Sequence, residues 1–493
     1  MNRESFQNDE VASVLNTAFT AIKMDREQYP DADQYYNNLL VAAGGTAGWP
    51  LSAILMPDGT PAWIGNYVTK DRLLTLLRAF AGHFERGSPS LESQSNIYRS
   101  LITADFSERS STTRLSSKPL DLKSLGEALL AQQDPIYGGV AGAQKFPNPN
   151  NVETLWFFYD ETGDMRYQEA ALRHLNGMLD GEIYDFLYGG FFRYSTTSSW
   201  GRPHFEKMLH TQAGMLKLLA DAYKRTHLER FRRAADDLVQ FVIRDLYDQQ
   251  SGIFFSAIDS EYSGKEGFRY LIDTSLAEGI CQKSACSAIF FKDGYSIITT
   301  KDFVPKNLLV MRTEVKKSVG DFGLQPAQDD KAITEWNALM LSALLTYQHI
   351  NNNADTFNRI EIIINKLNSI LADALDLAEH HLPRQLIDDR SPEGSIRDAI
   401  AVLHASVDMY RYTGKAAHEF QAHSALNHLV CSMGAALEGD YCSKFEVEEV
   451  LALDQSKEVL TALRRYRELF PQREHFLFST TKNLVLLPQN LNY

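Results

Sequence analysis

The chain has 493 residues, 44% of them hydrophobic and 23% charged, a globular composition too long for one ordinary core, so two or three domains are expected. The net charge of -14, with no concentrated Lys/Arg patch, argues against nucleic acid or an anionic membrane as partner. No apolar run approaches the roughly 18 residues of a spanning helix, and no basic-then-apolar leader opens the chain, so the expected location is cytoplasmic.

In chain order, the pattern predicts a helix over 9–19, a strand in AIKMD at 21–25, and a helix over 32–40. LSAILMPDGTPAWIG then predicts a β-hairpin, because Asp58-Gly59 is a turn dipeptide between two apolar runs. Residues 1–90 thus read as a small α/β domain. Residues 91–120 are rich in Ser and Thr and poor in long apolar periods, which predicts a linker, with room for a short helix in its middle.

From 121 to 493 the pattern changes to long helical periods such as FEKMLHTQAGMLKLLADAYKRT and AITEWNALMLSALLTYQHI. Their apolar residues recur at i, i+3, i+4 and i+7, as in helices packed on helices. A glycine-aromatic loop recurs between them, in IYGGVAGAQKF at Ile136, LYGGFFRYST at Leu187 and SGIFFSAIDS at Ser251. Such spacing fits one helical hairpin per repeat, and loops at one end of each repeat suit a closed barrel of paired helices. Four cysteines, Cys281, Cys286, Cys431 and Cys442, form neither a disulfide framework nor a Cys-x-x-Cys, and are expected to be small packed thiols.

Several motifs together resemble one family. They are RESF at Arg3, KMDREQYPD at Lys23, GGTAGWPLSAILMPDG at Gly44, AQKFPNP at Ala143, GGFFRYSTTSSWGRPHFEKML at Gly189, FFSAIDSEYSGKEG at Phe254, DDKAITEWNALM at Asp329 and RDA at Arg397. In this order they resemble the thioredoxin-domain family that includes spermatogenesis-associated protein 20. The resemblance implies a mainly α fold: an (α/α)6 toroid of six-hairpin glycosidase-like type, preceded by a truncated α/β thioredoxin-like domain. It also implies a Cys-x-x-Cys just upstream of RESF, which this chain lacks, and a pair of cysteines near the C-terminus where Thr480 and Val485 stand. Trp49-Pro50 becomes a cis-proline candidate beside the missing thiols. Exchange needs an activated thiolate and a resolving thiol, so no redox residue and no cofactor are expected. A coding sequence extending upstream into a Cys-x-x-Cys would instead make the protein a thiol-disulfide oxidoreductase.

For the barrel, a toroid that processes sugars implies rim carboxylates, histidines and stacking rings. The catalytic candidates are His204, Glu206, Asp259, Asp330 and Asp398, and the binding candidates are Lys145, Arg193, Tyr194, Trp200 and Trp336. Each has a plainer reading. His204 after Pro203 would cap or pack at a helix start, Glu206 would sit in that helix's first turn, and Asp330 would cap a helix over 331–346. Lys145 would meet either an anionic ligand or a buried carboxylate. His380 and His381 are adjacent and cannot share one metal from one helix face, so no metal site is expected. The leading expectation is a redox-inactive protein binding a carbohydrate or similar polar small molecule in the barrel cleft. The alternative is an active sugar isomerase, epimerase or glycosidase-type enzyme using the rim carboxylates and His204.

Overall fold

The computed structural model describes residues 5–87, 89–111, 122–262, 264–283, 286–300, 305–319, 327–377, 382–388, 390–432 and 469. Its backbone divides into two units, one running to residue 117 and one beginning at 118.

The first unit runs α1 (Asp9–Ala18), α2 (Pro30–Ala42), β1 (Ser52–Leu55), β2 (Pro61–Gly65), α3 (Lys70–Glu85) and α4 (Pro89–Ser111). α1 starts where the Asn8 side chain accepts from the Glu10 amide, with Asp9 and Glu10 facing the positive helix end. Its Val11 is buried with Leu73, Leu74 and Leu77 of α3. The hairpin forms as predicted: Ser52 pairs with Gly65 and Ile54 with Trp63, and the Asp58 carboxylate accepts from the Thr60 amide. At the turn, Gly59 takes a φ of +81°, where a side chain would be strained. The Trp49-Pro50 bond is cis.

Two expectations fail in this unit. Residues 21–25 form no strand, and Ile22 is 81% exposed; among the described residues no strand lies beside them to accept their backbone groups. The stretch expected to be a linker begins as α4, a helix that packs on β2 and α2 and buries Leu91 and Ser95.

The second unit opens with α5 (Leu122–Ala131), α6 (Pro149–Thr162), α7 (Met165–Asp180), β3 (Tyr194–Ser195), β4 (Pro203–His204), β5 (Lys207–Met208), α8 (Leu209–Thr226) and α9 (Glu229–Asp245). An inserted segment follows: β6 (Ala257–Ile258), β7 (Glu261–Tyr262), β8 (Lys265–Glu266), β9 (Ile272–Asp273), α10 (Thr274–Cys281), β10 (Ser287–Lys292), β11 (Tyr295–Thr299), α11 (Pro305–Val319) and β12 (Gln328–Asp329). It closes with α12 (Thr334–Gln348), α13 (Ala354–Leu377), α14 (Ile396–Thr413) and α15 (Ala416–Ser432).

The mainly helical fold is the one expected. α6 pairs with α7, α8 with α9, α12 with α13 and α14 with α15, and the first helices α6, α8, α12 and α14 pack side by side in that order. This is an arc of an α/α toroid with an inner and an outer helix in each hairpin. Composition sorts the layers: α12 is apolar almost all round and buried on nearly every face, whereas α9 buries one stripe and leaves most of its charges, though not Asp245, outside it. Close approach of inner helices needs Gly214, where a Cβ would stand 2.5 Å from the Pro149 ring. Every long loop joins an outer helix to the start of the next inner one, so all of them gather at one end. No described helix is long and apolar enough to cross a membrane.

Candidate functional site

The loop face is built from one repeated turn. In each of three loops an aspartate, Asp134, Asp185 or Asp248, sits four residues before a glycine whose amide donates back to the aspartate's own carbonyl. The aspartate side chain accepts two further amides, from Ile136 and Tyr137, from Leu187 and Tyr188, or from Gln250 and Ser251. The recurrent glycines marked these turns in the sequence. The aspartates and Lys207 were missed, whereas the buried carboxylate expected as one partner for Lys145 is Asp134.

A lysine locks the first two turns. Lys145 Nζ lies 2.6 Å from Asp134 Oδ2 and 2.7 Å from the Gly138 carbonyl. Lys207 Nζ lies 2.6 Å from both Asp185 Oδ2 and the Gly189 carbonyl. Both lysines are buried. Burial pulls the Lys207 ammonium down to about 8, although Asp185 opposes the shift. Burial pushes the Asp134 carboxyl up, but Lys145 and the two turn amides outweigh it and hold that group below its ordinary range. Inner-helix amides clamp the next residues: the Gln212 side chain both donates to and accepts from the Phe191 backbone, and Asn337 does the same for Phe254.

This scaffold reassigns several binding candidates. Lys145 is tied into its own turn and does not face a ligand. Trp200 is buried, stacked at 5.4 Å on His174, and donates to the Tyr137 carbonyl, so it is core rather than wall. Trp336 is also buried, with its ring 4.7 Å from that of His210. His174 is fully buried, and burial, with Lys145 nearby, lowers its imidazole to about 3.

Arg193, Tyr194, His204 and Glu206 stay together at the surface of the loops. Neither His204 nor Glu206 is helical. Pro203 and His204 form β4, paired to β3 with Tyr194 opposite His204, and helix α8 begins only at Leu209. The Tyr194 and His204 rings stack at 4.9 Å, and the Phe146 ring lies 5.2 Å beyond Tyr194. Phe146 is 51% exposed. It is carried there by a two-way backbone bridge between Lys145 and Ser195. Beside these rings Arg193 Nη1 is 2.6 Å from Glu206 Oε2, and His204 Nε2 is 3.6 Å from Glu266 Oε1.

The acids do not all converge. β5, β6 and β12 form one ladder in which Lys207 pairs with Ile258 and Ile258 with Gln328. Glu206 and Asp259 therefore occupy adjoining positions at one end, where the Asp259 amide donates to Ala327. Asp330 lies three residues beyond Ala327 on the same strand, roughly 10 Å along it. It does not cap a helix, because α12 begins at Thr334 with Ile333 as its cap. Asp398 is wholly buried: it forms a capping box with Ser395 and meets Arg384 at 2.9 Å. Burial raises its carboxyl despite that guanidinium. Arg384 also holds Glu335 at 2.9 Å.

Sequence reading gave no functional role to His210 or Arg397. With Glu335 they occupy the second positions of α8, α14 and α12, one level on successive inner helices at the loop end.

The cysteine reading is corrected as well. Cys281 and Cys286 form a disulfide, with Cα atoms 4.8 Å apart. α10 ends at Cys281 and packs against β10, which begins just after Cys286, so the tertiary contact brings the two sulfurs together. A thiol pair absent by motif is thus present by geometry. His380, His381, Cys442, Thr480 and Val485 lie outside the described residues, as does the side chain of Cys431.

Comparison with known proteins agrees with the resemblance read from the motifs. Residues 1–100 match the family described as Thioredox_DsbH, protein of unknown function, DUF255. Spermatogenesis-associated protein 20 of Rattus norvegicus is 32% identical over 280 residues, covering 55% of this chain and 35% of the relative. The human form is 28% identical over 401 residues, covering 69% of this chain and 51% of its own. The chain therefore spans a third to a half of the length of these relatives. Among solved structures, cellobiose 2-epimerase from Bacillus thermoamylovorans is similar at 12% identity and a TM-score of 0.46, over 73% of this chain and 86% of that one. An unsaturated glucuronyl hydrolase specific for heparin is similar at 12% identity and a TM-score of 0.41, over 90% of this chain and 98% of its own. Neither likeness carries chemistry to this chain.

Proposed function

We propose that the loop face of the helical unit binds a polyhydroxylated, sugar-like small molecule, and that the first unit takes no part in thiol exchange. The observation that carries this reading is the ladder of Phe146, Tyr194 and His204 rings beside the paired Arg193 and Glu206. An exposed ring offers a flat apolar surface to the C–H face of a sugar, while flanking charged groups take its hydroxyls as hydrogen-bond partners. The first unit contains no cysteine, and exchange needs a thiolate.

Binding is favoured over rim-carboxylate hydrolysis by the geometry of the acids. Hydrolysis needs two free carboxyl groups flanking one bond. Here Glu206 is engaged by Arg193, Asp398 is sealed under Arg384, and Asp330 stands at the far end of the ladder.

A thermal-shift screen of monosaccharides and short oligosaccharides tests the proposal. At least one is expected to raise the melting temperature of the wild type. Phe146→Ala and Tyr194→Ala, folded by circular dichroism, are expected to weaken that ligand at least tenfold. A ligand bound equally well by both variants, or no shift across the panel, overturns it.

A further inference from the structure

The first unit contains no cysteine, but the helical unit holds a joined pair. Cys281 is the last residue of α10, and Cys286 stands one residue before β10. Both are half-buried rather than sealed in the core. Access is one property that separates exchangeable disulfides from inert ones.

The bond ties together two elements that are held unequally. The start of α10 is fixed by Asp273, whose side chain accepts from the Leu276 amide, and by the Thr274 amide, which donates to the Gly294 carbonyl. β10 is paired on one side only: in the order β10-β11-β9 it forms the edge, and among the described residues no strand lies on its other side. The disulfide adds a covalent tie between the end of α10 and the start of that edge strand.

β10 leads from the cysteines to the loop face. Its ladder with β11 runs from Ser287 opposite Thr299 to Phe290 opposite Ser296, then jumps to Lys292 opposite Tyr295. Phe291 is the extra residue, and a bulge of this kind re-aims a side chain. Here the Phe291 ring lies 5.3 Å from that of Phe205. Phe205 is buried, stacked on Tyr270 at 5.6 Å, and closed against Gly267, where a Cβ would stand 2.3 Å from its ring. It is also the residue between His204 of the ring ladder and Glu206 of the Arg193 pair. A close-packed contact transmits a displacement instead of absorbing it.

We infer that Cys281–Cys286 is a thiol-exchange site whose substrate is a dithiol reductant, and that opening it loosens β10, Phe291 and the 203–208 segment in turn. A thiolate of the dithiol attacks Cys281 Sγ, the bond to Cys286 breaks, and Cys286 leaves as a thiolate and takes up a proton. Negative charge is unfavourable at the carbonyl end of a helix, where Cys281 sits, and this selects Cys286 as the leaving group. The dithiol's second sulfur then loses its proton and attacks the mixed disulfide. It closes a cyclic disulfide and frees Cys281, which is protonated in turn. The net transfer to the protein pair is two electrons and two protons. The coupling belongs to the loop face itself and holds whether or not that face takes a sugar.

The test incubates the full chain under native conditions with dithiothreitol as the dithiol probe, and maps free thiols by alkylation. Both Cys281 and Cys286 are expected to become alkylated. Hydrogen exchange, read by mass spectrometry, is expected to rise at least tenfold in peptides covering 286–292 and 203–208, with no change in 359–369 of α13. Cys281→Ser/Cys286→Ser is expected to show the fast exchange without reductant. Phe291→Ala keeps the disulfide and removes the link, so on reduction only 286–292 is expected to respond. A pair that dithiothreitol reduces only after unfolding in urea overturns the exchange site. Reduction that leaves either peptide of the wild type unchanged overturns the coupling, and a 203–208 response that persists in Phe291→Ala overturns the route through that ring. Should the double-serine chain fail to fold, reduced against oxidised wild type decides.

Discussion

The two units handle charge in opposite ways. In the helical unit the inner helix α12 is buried on nearly every side, and three cationic side chains, Lys145, Lys207 and Arg384, are taken inside with a carboxylate each. In the first unit the core consists of two small clusters, one around Val11 and Leu74 and one around Leu39, Leu40 and Ile64. Its ion pairs, such as Arg78 with Glu10 and Arg99 with Asp58, remain at the surface. A thick apolar layer can hold a charge only if every donor and acceptor is met, and the turn carbonyls of Gly138 and Gly189 supply what the carboxylates leave over. The buried pair then fixes a loop. An exposed pair fixes little.

The largest effect expected from this contrast is at Lys207. Lys207→Met leaves the Asp185 carboxylate buried without its cation, and a loss of about 3–5 kcal/mol is expected from urea unfolding. A loss below about 1 kcal/mol would show that water reaches the turn and that the two units treat charge alike.

The second effect depends on pH. The folded state holds His174 at about 3, below the 6.5 of the unfolded chain. Between those values the unfolded chain binds a proton that the folded chain refuses, so stability falls as pH falls through this window. The loss is expected to be roughly 1.4 kcal/mol per unit below pH 6.5. Replacing the imidazole, as in His174→Phe, is expected to flatten that slope, read from unfolding midpoints between pH 4 and 6.5. An unchanged slope would assign the acid sensitivity elsewhere.

The smallest effect is expected in the first unit, where Arg78→Ala removes an exposed partner of Glu10. No resolvable change in melting temperature is expected by calorimetry. A clear drop would mean that this surface pair is a structural tie, and would erase the contrast with Lys207.

Much of the architecture was legible from pattern. The 3.6-residue periods located the helices, Asp58-Gly59 located the hairpin, and the glycine-aromatic loops located the repeated turns. The local reading failed where a distant segment captured the backbone. RPHFEKML has a helical look, yet Tyr194 pairs with His204 and Ala257 pairs with Met208, so the helix begins later. AIKMD looks like a strand, but among the described residues no strand lies beside it. For the site, Arg193, Tyr194, His204 and Glu206 were legible as neighbours. The burial of Trp200, Trp336 and Asp398 was not, since an aromatic or acidic residue in a loop has the same letter whether it faces water or core.

By itself the amino-acid order determined which stretches coil, where the chain turns and which side chains are available, because those choices rest on contacts within a few residues. The packed structure alone decided that Lys207 meets Asp185, that Cys281 meets Cys286, and that Asp330 stands apart from Glu206. Strand register and helix packing set those distances, and both come from free energy summed over the whole unit rather than from any single segment.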